Sequence, residues 1–215
     1  MNLIVIDGLD GSGKSTQTDL LLKAMEKHGV DAKYLKFPNY QDKSSALVRM
    51  YLDGEIAKTP DDVNPFAAAA FYACDRYISY IKSWGEHYNS NKTIVCDRYV
   101  TSNAIHQMVK QKQSEWDGFL QWLEDFEYNK LQLPRPNTVI YLDMESEIAA
   151  SLIAARYKGD ETKKDIHEQN LEFMQKCREA ALYAASKLNW NVIKCFENGK
   201  PISINDIHEK VMGIV

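Results

Sequence analysis

Leu3-Ile4-Val5-Ile6-Asp7-Gly8-Leu9-Asp10-Gly11-Ser12-Gly13-Lys14-Ser15-Thr16 is the stretch that decides the fold of this 215-residue chain. It carries the spacing G-x-x-x-x-G-K-[ST], filled by Gly8, Gly13, Lys14 and Ser15. Leu3 to Ile6 is an apolar, β-branched run of the kind that forms a buried strand. Beyond Lys14, the residues Leu20, Leu21, Ala24 and Met25 recur at helical spacing, so a helix follows the loop. Strand, glycine loop and helix start together place backbone N–H groups and a helix N-terminus around phosphate oxygens. Gly8, Gly11 and Gly13 leave room for the anion and accept backbone angles that a side chain forbids. Ser12 and Thr16 complete the loop and the helix start. Lys14 brings a mobile positive charge to the β- and γ-phosphates, and the Ser15 hydroxyl suits Mg²⁺. In this context the pattern implies a nucleoside triphosphate site.

Further along, the chain alternates strands and helices. The first helix stops near His28-Gly29, and a second strand runs from Ala32 to Phe37, closed by Pro38. Ser44 or Ser45 is placed to cap a helix ending at Leu52. A long helix is expected from Pro65 to His87. Its residues Phe66, Ala69, Ala70, Ala73, Tyr77, Ile78 and Ile81 are too many for one apolar stripe. Such a helix is expected to be buried on two sides, by the sheet and by a second subunit. The small Ala67 to Ala70 permit close approach, so a homodimer through residues 65–87 is expected. Strands follow at Thr93–Cys96, Thr138–Leu142 and Asn191–Phe196. Between them lie helices at Thr101–Lys110, Trp116–Glu127, Ser146–Arg156 and Ile166–Leu188, and a short one starts near Ser203. Trp116, Phe119, Leu120, Leu123 and Phe126 form a core stripe. The alternation implies an α/β fold, a doubly wound five-stranded parallel sheet in three layers. No linker divides it, so residues 1–215 read as a single domain.

The charge balance narrows the partners. Lys and Arg total 26 against 30 Asp and Glu, a net charge of −4. That argues against a nucleic-acid or membrane-surface partner, which calls for a basic excess. No stretch approaches a membrane span, and the first apolar run is too short for a signal peptide. The four cysteines show no C-x-x-C pair, which favours reduced thiols in a cytoplasmic protein.

Asp97 ends the third strand, beside the phosphate loop if the sheet is parallel, where ligands of such sheets bind. There it holds Mg²⁺ through water, and Arg98 grips a phosphate. A hydroxyl acceptor needs a carboxylate base, whereas a nucleoside monophosphate is already anionic and needs cationic clamps instead. Arg76, Arg98 and Arg156 lie in three segments that this fold can bring to one cleft. A phosphate acceptor fits best. A guanine-reading N-K-x-D sequence is absent.

Four segments carry a resemblance over nearly the whole chain: residues 6–17, Phe37-Pro38-Asn39-Tyr40, Tyr72-Ala73-Cys74-Asp75-Arg76 and Asp97-Arg98-Tyr99-Val100-Thr101-Ser102-Asn103. In order and spacing they resemble the signatures of thymidylate kinases. The resemblance implies transfer of the ATP γ-phosphoryl group to dTMP, with Mg²⁺, in dTTP biosynthesis. By the same resemblance Tyr72 stacks on thymine and Arg76 bonds its carbonyl edge, with Ser102 and Asn103 near the base. Asp10 reaches the deoxyribose 3′-OH, while Tyr40 and Arg98 lie near the acceptor phosphate and Phe37 belongs to the acceptor side. Catalysis is expected from Lys14, Arg98, Arg156 and Asp10. Each role has a plainer rival: Tyr72 as a core aromatic, and Asp10 as a neighbour of the positive helix end. His106, one turn beyond Asn103, faces the sugar or simply packs.

Position 11 is Gly rather than the arginine that some members of the family carry in the loop. The catalytic cation is then expected in a mobile, charged lid, residues 156–165, from Arg156, Lys163 or Lys164. Two other readings stay open: a deoxynucleoside kinase, and an ATP-binding switch without turnover.

Overall fold

The computed structural model describes residues 3–59, 62–156 and 171–215. Strand β1 (Leu3–Gly8) sits at the centre, because every one of its side chains is apolar or finds a buried partner. Around it lie β2 (Ala32–Lys36), β3 (Thr93–Asp97), β4 (Thr138–Asp143) and β5 (Asn191–Lys194), all parallel in the order β2-β3-β1-β4-β5. The register pairs Ile6 with Asp97 and Gly8 with Leu142. It thereby sets the phosphate loop beside the C-terminal ends of β3 and β4.

Strand periodicity divides the core. Leu3, Val5, Ile94 and Cys96 point to one face, Ile4, Ile6, Val95 and Ile140 to the other. The first face is covered by α3 (Pro65–Ser79), α5 (Thr101–His106), α6 (Trp116–Glu124) and part of α8 (Leu171–Leu188). The second is covered by α1 (Lys14–Lys27), α7 (Ser146–Arg156) and α9 (Ile204–Met212). This is the expected three-layer arrangement.

Several local expectations needed correction. Ser45 stands at the N-cap of α2 (Ala46–Leu52) but makes no side-chain cap bond; Asp42 caps the preceding turn Lys43–Ser45 instead, its carboxylate accepting from the Ser44 N–H. The long helix is not one regular rod. A π-helical segment, Tyr80–Trp84, separates α3 from α4 (Gly85–Asn89), and it buries Trp84 against Tyr80 and Tyr99. Of the alanine quartet, Ala68 and Ala69 turn inward while Ala67 is exposed.

The fifth strand stops at Lys194. Phe196–Glu197 (β6) instead pairs antiparallel with Lys200–Pro201 (β7), making a separate hairpin. Its turn is Asn198-Gly199, both with positive φ (50° and 71°), the residue pair such a two-residue turn favours. Phe126 is only half-buried, stacked on Trp122 at 5.1 Å, because a second π segment (Asp125–Lys130) swings Glu127 into the core in its place.

Candidate active site

The loop between β1 and α1 is shaped by its neighbours. At Gly11 φ is +81°, and a Cβ there would sit 2.4 Å from the Ala149 carbonyl oxygen of α7. Only glycine fits against that backbone. Gly13 is different. Its would-be Cβ meets nothing within 4 Å, so its left-handed φ of +90° is what calls for glycine. Helix α1 then starts at Lys14 with no side-chain cap and no acid in its first turn. The positive end of the helix is left for an anion.

A cavity of about 300 Å³ opens over this loop. It collects most of the residues singled out in the sequence. Asp10, Gly11, Gly13, Lys14, Ser15 and Thr16 line it from the loop, and Asp97 and Arg98 from the end of β3. Phe37, Tyr40, Tyr72 and Arg76 line the side away from the loop, with Ser102 and Asn103 from α5 and Arg156 from the last turn of α7. Gly8 and Ser12 are not in the wall, and the Ser12 hydroxyl is buried beneath it. Residues 157–165, with Lys163 and Lys164, lie outside the described residues, so Arg156 is the described part of the expected lid.

Charges alternate across the floor. Lys14 Nζ donates to the Leu9 carbonyl at 2.8 Å and stands 3.5 Å from Asp10. Asp10 accepts from Arg98 Nη2 at 2.5 Å. Burial alone would raise the Asp10 pKa, but the charges of Arg98 and Lys14 outweigh it and hold the carboxyl far below the usual range. Burial and the nearby Arg98 lower the Lys14 pKa, against Asp10, Asp97 and Asp7. For Arg98 burial acts downward, and Asp10, Asp7 and Asp97 carry it upward instead. Arg98 also holds φ at +70°, a costly backbone angle for a residue with a side chain, with its N–H on the Ile6 carbonyl at 3.0 Å.

Asp97 is buried and accepts from the Ser15 hydroxyl at 2.6 Å, with Lys36 Nζ 3.8 Å away. These two oxygens, carboxylate and hydroxyl, are the donor chemistry Mg²⁺ takes when the rest of its shell is water and phosphate. They fit the ion.

The thymidylate kinase family model matches residues 6–208. The chain belongs to that family. It is 29% identical over 186 residues to the thymidylate kinase of Mycobacterium tuberculosis, covering 85% of this chain and 84% of that protein. It is likewise 29% identical over 214 residues to a probable thymidylate kinase of Thermococcus gammatolerans, covering 99% and 94%. Among solved structures, thymidylate kinase from Candida albicans superposes with a TM-score of 0.71 at 20% identity, over 99% of this chain and 90% of that one. That from Ehrlichia chaffeensis gives 0.66 at 20% identity, over 99% and 97%. At such identity these two similarities speak for the fold.

Within this thymidylate kinase fold, the structure adds four residues that sequence reading did not single out. Glu127, fully buried, takes Arg76 in a two-pronged ion pair, Nε to Oε2 at 2.7 Å and Nη2 to Oε1 at 2.6 Å. Burial works against the charge on Arg76, and the Glu127 carboxylate overcomes it and raises the arginine pKa. The Asn103 amide donates to the same Oε1 at 2.9 Å. A signal was present: Glu127 follows Leu123 by four residues, an acid on an apolar helical stripe.

Asp7, at the inner end of β1, accepts from the Gly8 N–H and from the hydroxyls of Thr101 and Ser102. Ser102 thus directs its one proton at Asp7. Asp75 fastens Asn39 and Ser44 to α3. Gln107 lines the cavity, and its buried side-chain oxygen has no partner among the described residues. Tyr72 packs edge-on to Tyr51 and also lines the cavity.

Proposed function

We propose that this protein transfers the γ-phosphoryl group of ATP to dTMP, giving dTDP and ADP. One observation carries the reading: a phosphate loop with its lysine and a second set of cationic, aromatic and amide side chains share one cavity of about 300 Å³. The loop and the α1 N-terminus take the ATP phosphates, with Lys14 on the β- and γ-oxygens. Ser15 and Asp97 would hold Mg²⁺, which when bound neutralises charge on those oxygens. On the other side Tyr72 gives thymine a stacking surface, and Arg76, Asn103 and Gln107 offer polar groups to its edge. Tyr40 and Arg98 face the acceptor phosphate, and Asp10 is left with an oxygen for the 3′-OH.

The carboxylates explain why the acceptor is a phosphate rather than a hydroxyl. Asp10 and Asp97 are those that line the cavity among the described residues. Asp10 is held far below the pKa of a useful base by Arg98 and Lys14, and Asp97 is engaged by Ser15. A deoxynucleoside kinase would need one of them to accept a proton. A release assay for ADP, run over the common nucleoside monophosphates and thymidine, tests the assignment. We expect turnover with dTMP and none with thymidine; the reverse result would overturn it, and no turnover with any acceptor would favour the switch.

Arg156 completes the cationic side. Phosphoryl transfer spreads charge over equatorial oxygens, so a cation that arrives with closure stabilises the transition state selectively. Replacement Arg156→Ala is expected to lower kcat by about a hundredfold with KM for dTMP little changed. Were Arg156 only a partner for its helix C-terminus, worth well under ~1 kcal/mol, turnover would stay near the parent level.

The assembly we propose is a homodimer through α3 to α4. Ala67, Cys74, Tyr77, Ile78 and Ile81 are exposed on one side of that helix, with Ile81 64% exposed. The four cysteines are free, and no helix among the described residues is long and apolar enough to cross a membrane. The free thiols suit our reading of a cytoplasmic protein. Light scattering at micromolar concentration should report twice the mass of the 24.7 kDa chain. A monomer there would remove the dimer.

A further inference from the structure

Beside the cation and acid pair of the site lies a histidine that the reaction as described leaves unused. His106 Nε2 is 3.0 Å from Arg98 Nη1, and its Nδ1 is 3.6 Å from the sulfur of Cys177 on α8. A guanidinium has only N–H donors, so Nε2 must be the acceptor. The imidazole is then neutral with its proton on Nδ1, facing a sulfur that accepts weakly. Burial and Asp10 push the Cys177 thiol up, so it remains protonated and adds no charge.

We propose that His106 is a positioning residue, fixing the guanidinium of Arg98 for the acceptor phosphate through its Nε2 lone pair, with its Nδ1 proton turned to Cys177. This rests on the dTMP kinase reading above. Arg98 has few other restraints on that edge. Nη1 reaches Ser102 only at 3.4 Å and stands 3.7 Å from Asp7, while Nη2 is occupied by Asp10. Protonation of the ring would set an N–H against an N–H and a cation against a cation. Around His106, Asp10 from the loop favours that protonation, whereas Arg98 opposes it. The charge of Lys110 reaches the neighbouring Cys177 thiol, and the Tyr141 hydroxyl of β4 stays protonated. The arrangement therefore works above the pH at which the ring takes its second proton.

Two substitutions and one spectrum test it. His106→Phe keeps the ring volume and removes the acceptor, so KM for dTMP should rise about tenfold with KM for ATP unchanged, the loss of one charge-assisted hydrogen bond. His106→Gln puts an amide oxygen at the reach of Nε2 and should stay within about threefold of the parent. In kcat/KM for dTMP the parent should lose activity more steeply than the glutamine variant as the pH falls and the ring takes its second proton. The acceptor's own phosphate titrates near pH ~6 in both, so only the difference belongs to His106. An unchanged KM in the phenylalanine variant, or identical acid limbs in the parent and His106→Gln, would overturn the proposal. Nitrogen-15 imidazole spectra of the unliganded protein at pH 7.5, assigned with His106→Gln, need no substrate. They should show the neutral Nδ1-protonated tautomer at His106, and the other tautomer or an imidazolium would equally overturn it. If no monophosphate accepts a phosphoryl group, the functional reading fails while these spectra still decide the His106 pairing.

Discussion

Lys14→Ala is expected to reduce phosphoryl transfer at saturating ATP and dTMP by about a thousandfold or more, about 4 kcal/mol of transition-state stabilisation. The reason lies in how the lysine is held. Its ammonium rests on the Leu9 carbonyl and near Asp10, with burial and Arg98 acting against its charge. Phosphates give it better partners than the empty loop does, so its contribution grows when the phosphoryl group carries most charge. Folding depends on it far less. In the unliganded protein the variant loses one backbone hydrogen bond and a strained charge, effects of about 1 kcal/mol that partly cancel. Thermal melting should therefore shift by only a few degrees while steady-state turnover collapses. Activity within tenfold of the parent would remove Lys14 from the reaction.

The largest loss of stability is expected at Glu127→Ala. The two-pronged pair with Arg76 is fully buried, and removing the carboxylate leaves a guanidinium without a counter-charge in the core. Breaking such a pair from one side costs about 3–5 kcal/mol. In a chain of this size that corresponds to a fall in Tm of about 10 °C. Asn103 loses a partner at the same time, so KM for dTMP should rise in whatever fraction remains folded. The double replacement Arg76→Met with Glu127→Leu separates the two effects. An apolar pair of similar volume is often as stable as the buried ions it replaces, so melting should recover while acceptor binding stays weak. A single variant that melts within 2 °C of the parent would show that the charge is not buried in solution.

Much of the site was legible because its signals are local. Gly8 to Ser15 occupy consecutive positions of a strand, a turn and a helix, and only one backbone path satisfies that spacing with an anion in view. Asp97 and Arg98 were readable from their place at a strand end, since parallel sheets gather such ends on one side. The bounds of α7, Ser146–Arg156, and a last helix starting near Ser203 were readable from the sequence, and the structure adds that the Ser203 hydroxyl caps α9 by accepting from the Asp206 N–H. The Asn198-Gly199 turn is equally local, but its hairpin begins at Phe196, the residue at which the expected fifth strand ended.

Other features depend on pairings that no local pattern encodes. Glu127 meets Arg76 across 51 residues, and Ser102 meets Asp7 across 95. His106 is set between Arg98 and Cys177 by the packing of α5 on α8. The π segment at Asp125–Lys130 decides that Glu127, not Phe126, enters the core, a choice of helical register made by the space left beside Arg76. By itself the sequence determined that this chain builds a parallel α/β sheet around a phosphate loop, because strand, turn and helix propensities act between near neighbours. Only the tertiary structure decided which buried charges neutralise one another, because burial makes an unpaired charge intolerable and leaves the choice of partner to whichever side chain the fold brings within reach.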